Sequence, residues 1–367
     1  MTDGMNYAPL AREARVVCTP GDFRFAVAYM DHGHIFGMAT NLAQAGATCT
    51  MIYEPDTKKA AQMTKLFPQA KIARSFDEIL QESSIHLVVA AAVPNLRGPI
   101  GVAVMQHGKD YFTDKTPFTS LDQLEQAQQV CAQTHRKYAV CYSERLQNES
   151  AEYAAELIRD GVLGEVVQVL GIGPHRLSKS SRPAWFFDKS RYGGILCDIG
   201  SHQAEQFLTY TGAAGAEVTM ARVANHANPD VPELEDFGEF SLLGENGTSG
   251  YFRMDWFTPD GLRTWGDGRT TILGTKGFIE CRKYIDLARD PVAENNVYVV
   301  TESGEEYHNV TGRIGFPFFP DFILDCLERT ERSMTQRHCF LAAELCLRAQ
   351  ALADGQQRRD PEGMISE

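Results

Sequence analysis

The sequence predicts an α/β fold, with a doubly wound parallel sheet followed by an α+β domain that contains a large, mostly antiparallel sheet. Two observations lead to this prediction. Short apolar runs alternate with helical patterns from about residue 24 to 142, as in parallel sheets whose strands are joined by helices. Beyond residue 160 apolar residues alternate with polar ones, and the turn Gly244-Glu245-Asn246-Gly247 separates two such runs, which is a hairpin signal.

The first part of the chain contains six predicted strands. The run 87–92 is apolar throughout, as expected for a parallel strand covered on both faces. Gly46 and Gly108 mark the ends of two helices, because glycine commonly terminates helices. Strands are predicted at 25–30, 48–53, 71–73, 87–92, 110–113 and 138–142, and helices at 34–45, 57–66, 99–107 and 121–134.

The second part begins with a helix at 149–159 and then becomes rich in strands. Because the texture of the sequence changes near residue 148, we predict one domain over 1–147, with 1–20 as an N-terminal arm, and another over 148–367. We expect the C-terminal helices to pack back on the first domain. Strands are predicted at 164–173, 237–243, 248–256, 270–273, 278–281 and 297–301, and helices at 320–330 and 338–353.

The composition argues against several classes of partner. The net charge of −13 makes nucleic acid or an anionic membrane an unsuitable main partner, although a local basic pocket can still receive a small anion. The nine cysteines include no Cys-x-x-Cys pair, so we expect reduced thiols in a cytoplasmic protein and no metal site. Residues 1–20 carry charges and no long apolar run, so we expect neither a signal peptide nor a membrane anchor.

Asp198 and His202 are the most informative pair for function. Their spacing of four residues places a carboxylate and an imidazole on one face if the run is helical. A nearby carboxylate raises the pKa of histidine above its usual value of about 6.5, which makes His202 a candidate proton acceptor near neutral pH. Gly193 and Gly194 leave room for a ligand near the backbone. An ordinary surface ion pair is the alternative.

The turn after the first strand resembles a nucleotide-binding turn in its position. It reads Asp31-His32-Gly33-His34-Ile35-Phe36-Gly37 and precedes a helix, whose N-terminal N–H groups can bind a pyrophosphate. Gly33 matches the central glycine of Gly-x-Gly-x-x-Gly, whereas Asp31 and Phe36 replace the other two. We predict cofactor contacts at Gly33, His34 and Ile35. A plain strand–helix turn is the alternative.

Glu54 ends the second strand, about 20 residues after the glycine turn. A carboxylate at this place accepts hydrogen bonds from the ribose hydroxyls of NAD and repels the 2′-phosphate of NADP. Since no arginine follows Glu54, we predict that NAD(H) is favoured over NADP(H). The alternative is a surface residue that opens the turn Glu54-Pro55-Asp56.

Four motifs resemble those of the Gfo/Idh/MocA family, which includes glucose–fructose oxidoreductase and inositol dehydrogenase. Asp114-Lys115-Thr116-Pro117 resembles the Glu-Lys-Pro motif of that family, and Val93-Pro94-Asn95 resembles its Thr-Pro-Asn loop. The run 193–202 resembles its Gly-Gly…Asp…His signature, and 272–277 resembles its late Gly-Thr-x-Gly turn. Asp114 in place of Glu, Thr116 before the proline, and Gly98 in place of a frequent His depart from the pattern.

The resemblance implies NAD(P)-dependent redox chemistry at a carbon of a sugar or polyol. Lys115 would hydrogen-bond the reacting oxygen, His202 would accept the hydroxyl proton, and Asp198 would stabilise the imidazolium. Further contacts with the cofactor are expected at Ala92, Pro94, Asn95, Asp114, Lys115 and Arg145.

The stretch before the double glycine is rich in side chains that suit a sugar pocket, which combines an aromatic face with polar groups. Arg176 and Arg182 would suit a carboxylate on the substrate. A polar surface loop is the alternative for any one of these residues. Together with Lys115, Asp198 and His202, the residues expected to bind substrate are Ser143, His175, Arg182, Trp185 and Tyr192.

We therefore predict an enzyme, a NAD-dependent oxidoreductase that transfers hydride between the nicotinamide and a secondary alcohol or ketone carbon of a sugar, polyol or sugar acid. Residues 1–147 would bind the dinucleotide and 148–367 the substrate. We also expect a homodimer or homotetramer, because the large sheet has too few helices to cover both of its faces. Two alternatives stay open. One is a glycoside-cleaving or epimerising enzyme that oxidises its substrate transiently, and the other is a nucleotide-binding ligand sensor without turnover.

Overall fold

Six parallel strands form the sheet of the first half of the chain. The computed structural model describes residues 4–289 and 293–357. The strand order β3-β2-β1-β4-β5-β6 is that of a Rossmann fold, with the change of direction between β1 and β4, and it confirms the predicted doubly wound sheet. The strands are β1 Arg24–Met30, β2 Thr48–Tyr53, β3 Lys71–Ile72, β4 Leu87–Ala91, β5 Asp110–Asp114 and β6 Tyr138–Cys141.

Helices connect these strands, and some of them begin at a side-chain cap. The side chain of Asp56 accepts the N–H groups of Lys58 and Lys59, and Ser120 accepts that of Gln123, which satisfies donors that a helix start leaves open. The helices are α1 His34–Gln44, α2 Thr57–Leu66, α3 Phe76–Gln81, α4 Pro94–Gln106, α5 Leu121–Thr134 and α6 Ser143–Leu146.

The start of α4 differs from the prediction. Pro99 lies inside the helix, and α4 begins five residues earlier with Pro94 in its first turn. Proline is well tolerated there because the N–H groups of a first turn have no partner within the helix. The helix α3 was not predicted, because its six residues are too few for a clear helical period.

Eight strands form the second sheet, in the order β14-β13-β12-β11-β7-β10-β9-β8. All neighbouring pairs are antiparallel except β7 with β10, and β9 with β10 is the predicted hairpin. A mostly antiparallel sheet is therefore confirmed. The strands are β7 Val166–Pro174, β8 Ala216–Ala224, β9 Phe237–Gly244, β10 Ser249–Asp255, β11 Arg269–Gly274, β12 Gly277–Arg282, β13 Asn296–Thr301 and β14 Gly304–Asn309.

The two faces of this sheet differ in burial. On β10 the side chain of Phe252 is buried whereas that of Tyr251 is exposed, and on β7 Val169 is buried whereas Leu170 is exposed. This alternation follows from the two-residue period of a strand. Helices pack on the buried face, with α10 against β7 and β10. The helices of this part are α7 Glu149–Arg159, α8 Lys189–Tyr192, α9 Ile195–Asp198 and α10 Gly200–Thr211.

The chain divides into two units by its contacts. The first comprises Met5–Gln147 and Ile314–Phe340, and the second comprises Gly4, Asn148–Arg313 and the described residues after Phe340. The segment 314–340 thus groups with the Rossmann sheet, whereas the sequence analysis placed all of 148–367 in the second domain.

Aromatic packing explains where this segment lies. It carries α11 Phe318–Glu328, and the rings of Phe318 and Phe322 lie 5.5 Å and 5.4 Å from that of Phe112 on β5. The last helix is α12 Gln336–Gln357. Within the described residues, no helix has both the length and the apolar character needed to cross a bilayer.

Candidate functional site

The carboxyl ends of β1 and β2 carry the predicted nucleotide residues. Gly33 forms the N-terminal end of α1, and its N–H donates to the carbonyl oxygen of Met5 at 3.0 Å. A Cβ at Gly33 would lie 2.6 Å from that oxygen, so only glycine allows the backbone of residue 5 to approach so closely. In a dinucleotide site, the N–H groups at this end of the helix bind the pyrophosphate.

Residues 5–11, here called the strap, run along α1 beyond this contact. The side chain of Asn41 donates to the carbonyl oxygen of Pro9 and accepts the N–H of Ala11, both at 3.0 Å. Between these contacts Ala8 lies against Gly37, where a Cβ would be 3.1 Å from the Ala8 Cα atom. Gly33, Gly37 and Asn41 are spaced by four residues, so they share the face of α1 that holds the strap.

Two carboxylates flank the glycine turn. Asp31, which replaces the first glycine of the motif, forms an ion pair of 2.9 Å with Lys59 on α2, so its charge next to an anionic cofactor is compensated. Glu54 is half-buried, and its two oxygens accept the N–H groups of Met30 at 2.6 Å and Asp56 at 2.9 Å. These two bonds hold the Glu54 carboxylate at the end of β2.

Asp114 lies at the end of β5 and has no exposed surface. Its carboxylate oxygens lie 2.9 Å from His34 Nδ1, 3.1 Å from His32 Nδ1 and 3.4 Å from Arg97 Nη2, and one accepts the N–H of Lys115 at 2.9 Å. Burial alone would raise the pKa of this carboxyl, but His34, His32 and Arg97 hold it well below its usual range. Asp114 is therefore an ionised, hydrogen-bonded link between the Lys115 loop and the glycine turn.

The donor atoms of His32, His34 and Asp114 lie within 4.8 Å of one another, a spacing that a divalent cation can use. Burial and the neighbouring His34 lower the pKa of His32 well below 6.5, so its imidazole is neutral. Arg97 and the Lys115 N–H already donate to the same carboxylate, however, and a guanidinium beside Asp114 opposes a second cation. The arrangement favours a hydrogen-bonded carboxylate over a metal ligand.

Arg97 is a residue of this site that the sequence analysis missed. Its Nε donates to the Ala92 carbonyl oxygen at 2.6 Å, and its Nη1 donates to the carbonyl oxygens of Lys115 and Thr116. The available signal was a single charged residue within the otherwise uncharged helix α4. The peptide bond between Lys115 and Thr116 is cis.

The other candidates of the first unit lie at the ends of neighbouring strands. Pro94 and Asn95 open α4 directly after β4, and Ser143 and Arg145 lie buried in α6 directly after β6. Lys115 follows β5 and is 5% exposed. The carboxyl ends of parallel strands meet at one edge of a sheet, which is where doubly wound sheets bind ligands. The structure brings all of these residues to that edge, together with Gly33, Ile35, Glu54 and Ala92.

In the second unit, the Asp198/His202 run is divided between two helices. The helix α9 ends at Asp198 and α10 begins at Gly200, although Ile199 between them keeps a right-handed helical conformation. The His202 N–H donates to the Ile199 carbonyl oxygen at 3.2 Å. His202 is 2% exposed, so a surface ion pair does not describe it. Gly194 has φ +94°, a left-handed conformation that requires glycine.

Four predicted substrate residues of the second unit lie around two rings, Phe186 and Trp256. The guanidinium of Arg182 stacks on both rings, at 4.7 Å and 5.1 Å from their centroids. His175 contacts Trp256, whereas Trp185 and Tyr192 contact Phe186.

Much of this aromatic cluster is committed to internal contacts. Arg182 donates to the carbonyl oxygens of Leu177 and Arg176, and the hydroxyl of Tyr192 donates to the carbonyl oxygen of Glu233. Arg176 donates to the carbonyl oxygen of Leu262. These hydrogen bonds hold the loop before the double glycine in its conformation.

Comparisons with known proteins agree with this architecture. Residues 27–142 match the model of an oxidoreductase family with an NAD-binding Rossmann fold, and residues 151–280 match that of the GFO/IDH/MocA C-terminal domain. A crystal structure of a protein from Erwinia carotovora atroseptica SCRI1043, named as an oxidoreductase, is 47% identical. It covers 90% of this chain and 99% of its own, with a TM-score of 0.87.

Relatives with named activities are more distant. The scyllo-inositol 2-dehydrogenase (NAD(+)) of Bacillus subtilis is 23% identical over 67% of this chain and 69% of its own. A levoglucosan dehydrogenase in complex with NADH and levoglucosan is 17% identical, covers 91% of this chain and 98% of its own, and shares the fold with a TM-score of 0.76. Since the two family models together span well over half of the chain, the protein belongs to the Gfo/Idh/MocA family of oxidoreductases.

Proposed function

We propose that this oxidoreductase transfers hydride between NAD and a secondary alcohol or ketone carbon of a sugar, polyol or sugar acid. The observation that supports this best is the buried Lys115 at the carboxyl end of β5, held within a domain that matches the NAD-binding family model. The half-buried Asn95, in the first turn of α4, presents a buried Oδ1 that has no hydrogen-bond partner within the described residues. A buried acceptor of this kind fits a ligand with hydroxyl or amide donors.

The dinucleotide would lie at the carboxyl ends of β1, β2 and β4. The N-terminal turn of α1, with Gly33, His34 and Ile35, suits the pyrophosphate, and Glu54 suits the adenosine ribose. NAD would supply the hydride acceptor when bound. Because the Glu54 carboxylate is held by two backbone N–H groups, it stays in place to disfavour a 2′-phosphate, and we infer that NAD(H) is preferred to NADP(H).

Three side chains would handle the substrate hydroxyl. Lys115 donates a hydrogen bond to the reacting oxygen and orients it, and His202 takes the hydroxyl proton as the hydride leaves the carbon. Asp198 stabilises the imidazolium that forms. In the reverse direction His202 returns the proton to the alkoxide, so one residue serves both oxidation and reduction.

The substrate class rests on the second unit and on relatives. Aromatic faces beside charged groups, as in the cluster of Arg182, His175 and Trp256, are typical of carbohydrate sites. The levoglucosan dehydrogenase and the scyllo-inositol 2-dehydrogenase act on a sugar derivative and a polyol, as their names state. We infer a substrate of the same chemical class for this chain.

We also infer a homodimer or homotetramer, built on the exposed face of the second sheet. That face presents Leu170, Leu243, Tyr251, Leu273 and Phe278 on neighbouring strands, each more than a third exposed. Apolar side chains grouped in this way favour self-association.

The nine cysteines are free thiols, seven of them buried, and are compatible with a reducing cytoplasm.

Mass spectrometry of the purified protein for bound nucleotide would test the cofactor. A screen of sugars, polyols and sugar acids that follows NADH absorbance would then test the reaction, with His202→Asn as the negative control. We expect NAD(H) to bind and at least one polyol or sugar to give turnover that His202→Asn loses. Absence of nucleotide binding together with absence of turnover would reject the proposal.

A further inference from the structure

Arg97 is a buried cation that no step of the proposed reaction uses. It lies in the first turns of α4, has no exposed surface and is among the largest fully buried side chains of the protein. Burying a guanidinium is unfavourable unless its donors are satisfied. The identity of its partners therefore indicates what this arginine does.

The partners of Arg97 are almost all backbone carbonyl groups. Nε donates to Ala92 at the end of β4, and Nη1 donates to both Lys115 and Thr116 after β5. Nη2 lies 3.4 Å from the carboxylate of Asp114. One planar guanidinium thus joins the end of β4 to the last residue of β5 and to the two residues that follow it.

Both polar groups of the Lys115 backbone are held by this arrangement. Its N–H donates to Asp114 Oδ1 at 2.9 Å, and its carbonyl oxygen accepts from Arg97. Since Asp114 itself contacts Arg97, the peptide groups on either side of the Lys115 Cα atom are tied to a single guanidinium. The point from which the Lys115 side chain extends is then set by Arg97, and only the side-chain torsions remain to be chosen.

The same connection reaches the glycine turn. Asp114 contacts Nδ1 of His34 and Nδ1 of His32, which lie directly after β1. Arg97 therefore links the ends of β1, β4 and β5, with Asp114 as the intermediate. A shift of the glycine turn would be transmitted to Lys115 through one carboxylate.

We propose that Arg97 is the positioning residue of Lys115 and that it acts through the shape of its guanidinium and not through its charge alone. The role of Lys115 toward substrate rests on the proposed function, but its placement by Arg97 does not. A lysine at position 97 would keep the charge, but its single nitrogen cannot reach the Ala92 carbonyl, the Lys115 carbonyl and Asp114 together.

The matched control is Arg329, which holds the opposite end of the same strand. Its Nη1 and Nη2 donate to the two carboxylate oxygens of Asp110, the first residue of β5, at 2.7 Å and 2.6 Å. Replacing Arg329 by Met removes a guanidinium–carboxylate contact from β5 but leaves the Lys115 loop untouched. Arg329→Met therefore shows what a general loss of stability alone does, with the position of Lys115 unchanged.

The test compares Arg97→Lys, Arg97→Met and Arg329→Met with the wild type. In protein labelled with [ε-¹³C]lysine, the Lys115 signal is assigned by its loss in Lys115→Met, and melting temperature is measured alongside. We expect both Arg97 variants to shift or broaden the Lys115 signal. Arg329→Met should lower the melting temperature and leave that signal in place. A Lys115 signal that is unchanged in Arg97→Lys would overturn the proposal, and so would an equal change in Arg329→Met.

Kinetics supply a second measurement once a substrate has been found. Misplacement of a reacting group by about 1 Å costs on the order of 10²-fold in rate, so kcat of Arg97→Lys should fall to that extent while KM and the dissociation constant of NADH change little. Wild-type kcat in Arg97→Lys would overturn the positioning role. A wild-type protein that binds no NADH would instead reject the proposed function, and the lysine signal would still decide the role of Arg97. Should Arg97→Met fail to fold, Arg97→Lys carries the test.

Discussion

Cofactor preference gives a quantitative test of the nucleotide site, with Glu54→Gln as the perturbation. The two oxygens of Glu54 accept the N–H groups of Met30 and Asp56, so the carboxylate cannot turn away from an approaching phosphate without leaving two donors unsatisfied. Gln keeps the size and shape of the side chain but removes its charge. The Gln amide nitrogen cannot accept an N–H group, so one of the two bonds is lost as well. The ratio of the NADH and NADPH affinities is therefore compared, because a structural loss that affects both cofactors equally cancels in it.

The expected magnitude follows from the placement of this charge. Two unit charges about 5 Å apart repel by roughly 3 kcal/mol at an effective dielectric of about 20. Glu54 is only half-buried, and salt screens the pair, which reduces the repulsion to about 1–2 kcal/mol. The wild type should therefore bind NADH roughly 5- to 30-fold more tightly than NADPH, and Glu54→Gln should lose most of that ratio.

Dissociation constants for NADH and NADPH, measured by tryptophan fluorescence at one fixed ionic strength, decide the question. Glu78→Gln is a matched control, because Glu78 also accepts a backbone N–H, from Arg74, but lies in the first turn of α3. It should leave the NADH/NADPH ratio unchanged. Equal affinities in the wild type, or an unchanged ratio in Glu54→Gln, would refute the assignment of Glu54 to cofactor selection.

Three further predictions concern catalysis, the strap and pH. His202→Asn and Lys115→Ala should each lower kcat by at least roughly 10²-fold. NADH affinity should change little in His202→Asn, and wild-type turnover in this variant would exclude His202 as the proton acceptor. Deleting residues 1–7 removes the Met5 carbonyl group and so releases the N–H of Gly33 to bind a pyrophosphate. Calorimetry should therefore show tighter NADH binding than in the full chain. Equal affinity would contradict competition between the strap and the cofactor for this N–H group. The pKa of His32 is lowered in the folded state, so at mildly acidic pH the unfolded chain binds a proton that the folded chain does not. The free energy of unfolding should therefore fall as the pH drops below about 6.5. Melting temperatures between about pH 7 and 5 should depend less steeply on pH in His32→Gln, and an identical slope would contradict this.

The parts of the fold that the sequence predicted are those whose residues are buried on a regular period. In the Rossmann sheet β1 and β4 are almost continuous apolar runs, and all six strands were predicted to within one or two residues of their ends. The two strands that were missed, β8 and β14, are the two edges of the second sheet. An edge strand needs fewer buried side chains, and β14 reads Gly-Glu-Glu-Tyr-His-Asn, which has no apolar alternation to detect. Its pairing with β13 defines it, and pairing is not visible in a local pattern.

In the candidate site, too, some residues could be predicted from the sequence and others could not. Lys115 and Asp114 were found because they belong to a motif, whereas Arg97 was missed because most of its partners are backbone carbonyl groups. Carbonyl groups are present at every residue, so a bond to them leaves no trace in sequence. The contact between Met5 and Gly33 is likewise a backbone contact across 28 positions. Such contacts require the tertiary structure.

One departure from the family pattern, Asp114, lies in direct contact with residues of the glycine turn. Asp114 replaces a longer Glu, and the glycine turn carries His32 and His34, whose Nδ1 atoms contact that shorter carboxylate. The carboxylate also contacts Arg97 and holds the Lys115 backbone. A change in one of these residues alone would leave a buried charge or a buried ring without its partner, which is costly in a low-dielectric interior. Asp114 is therefore better understood as part of one hydrogen-bonded network than as the loss of a motif residue.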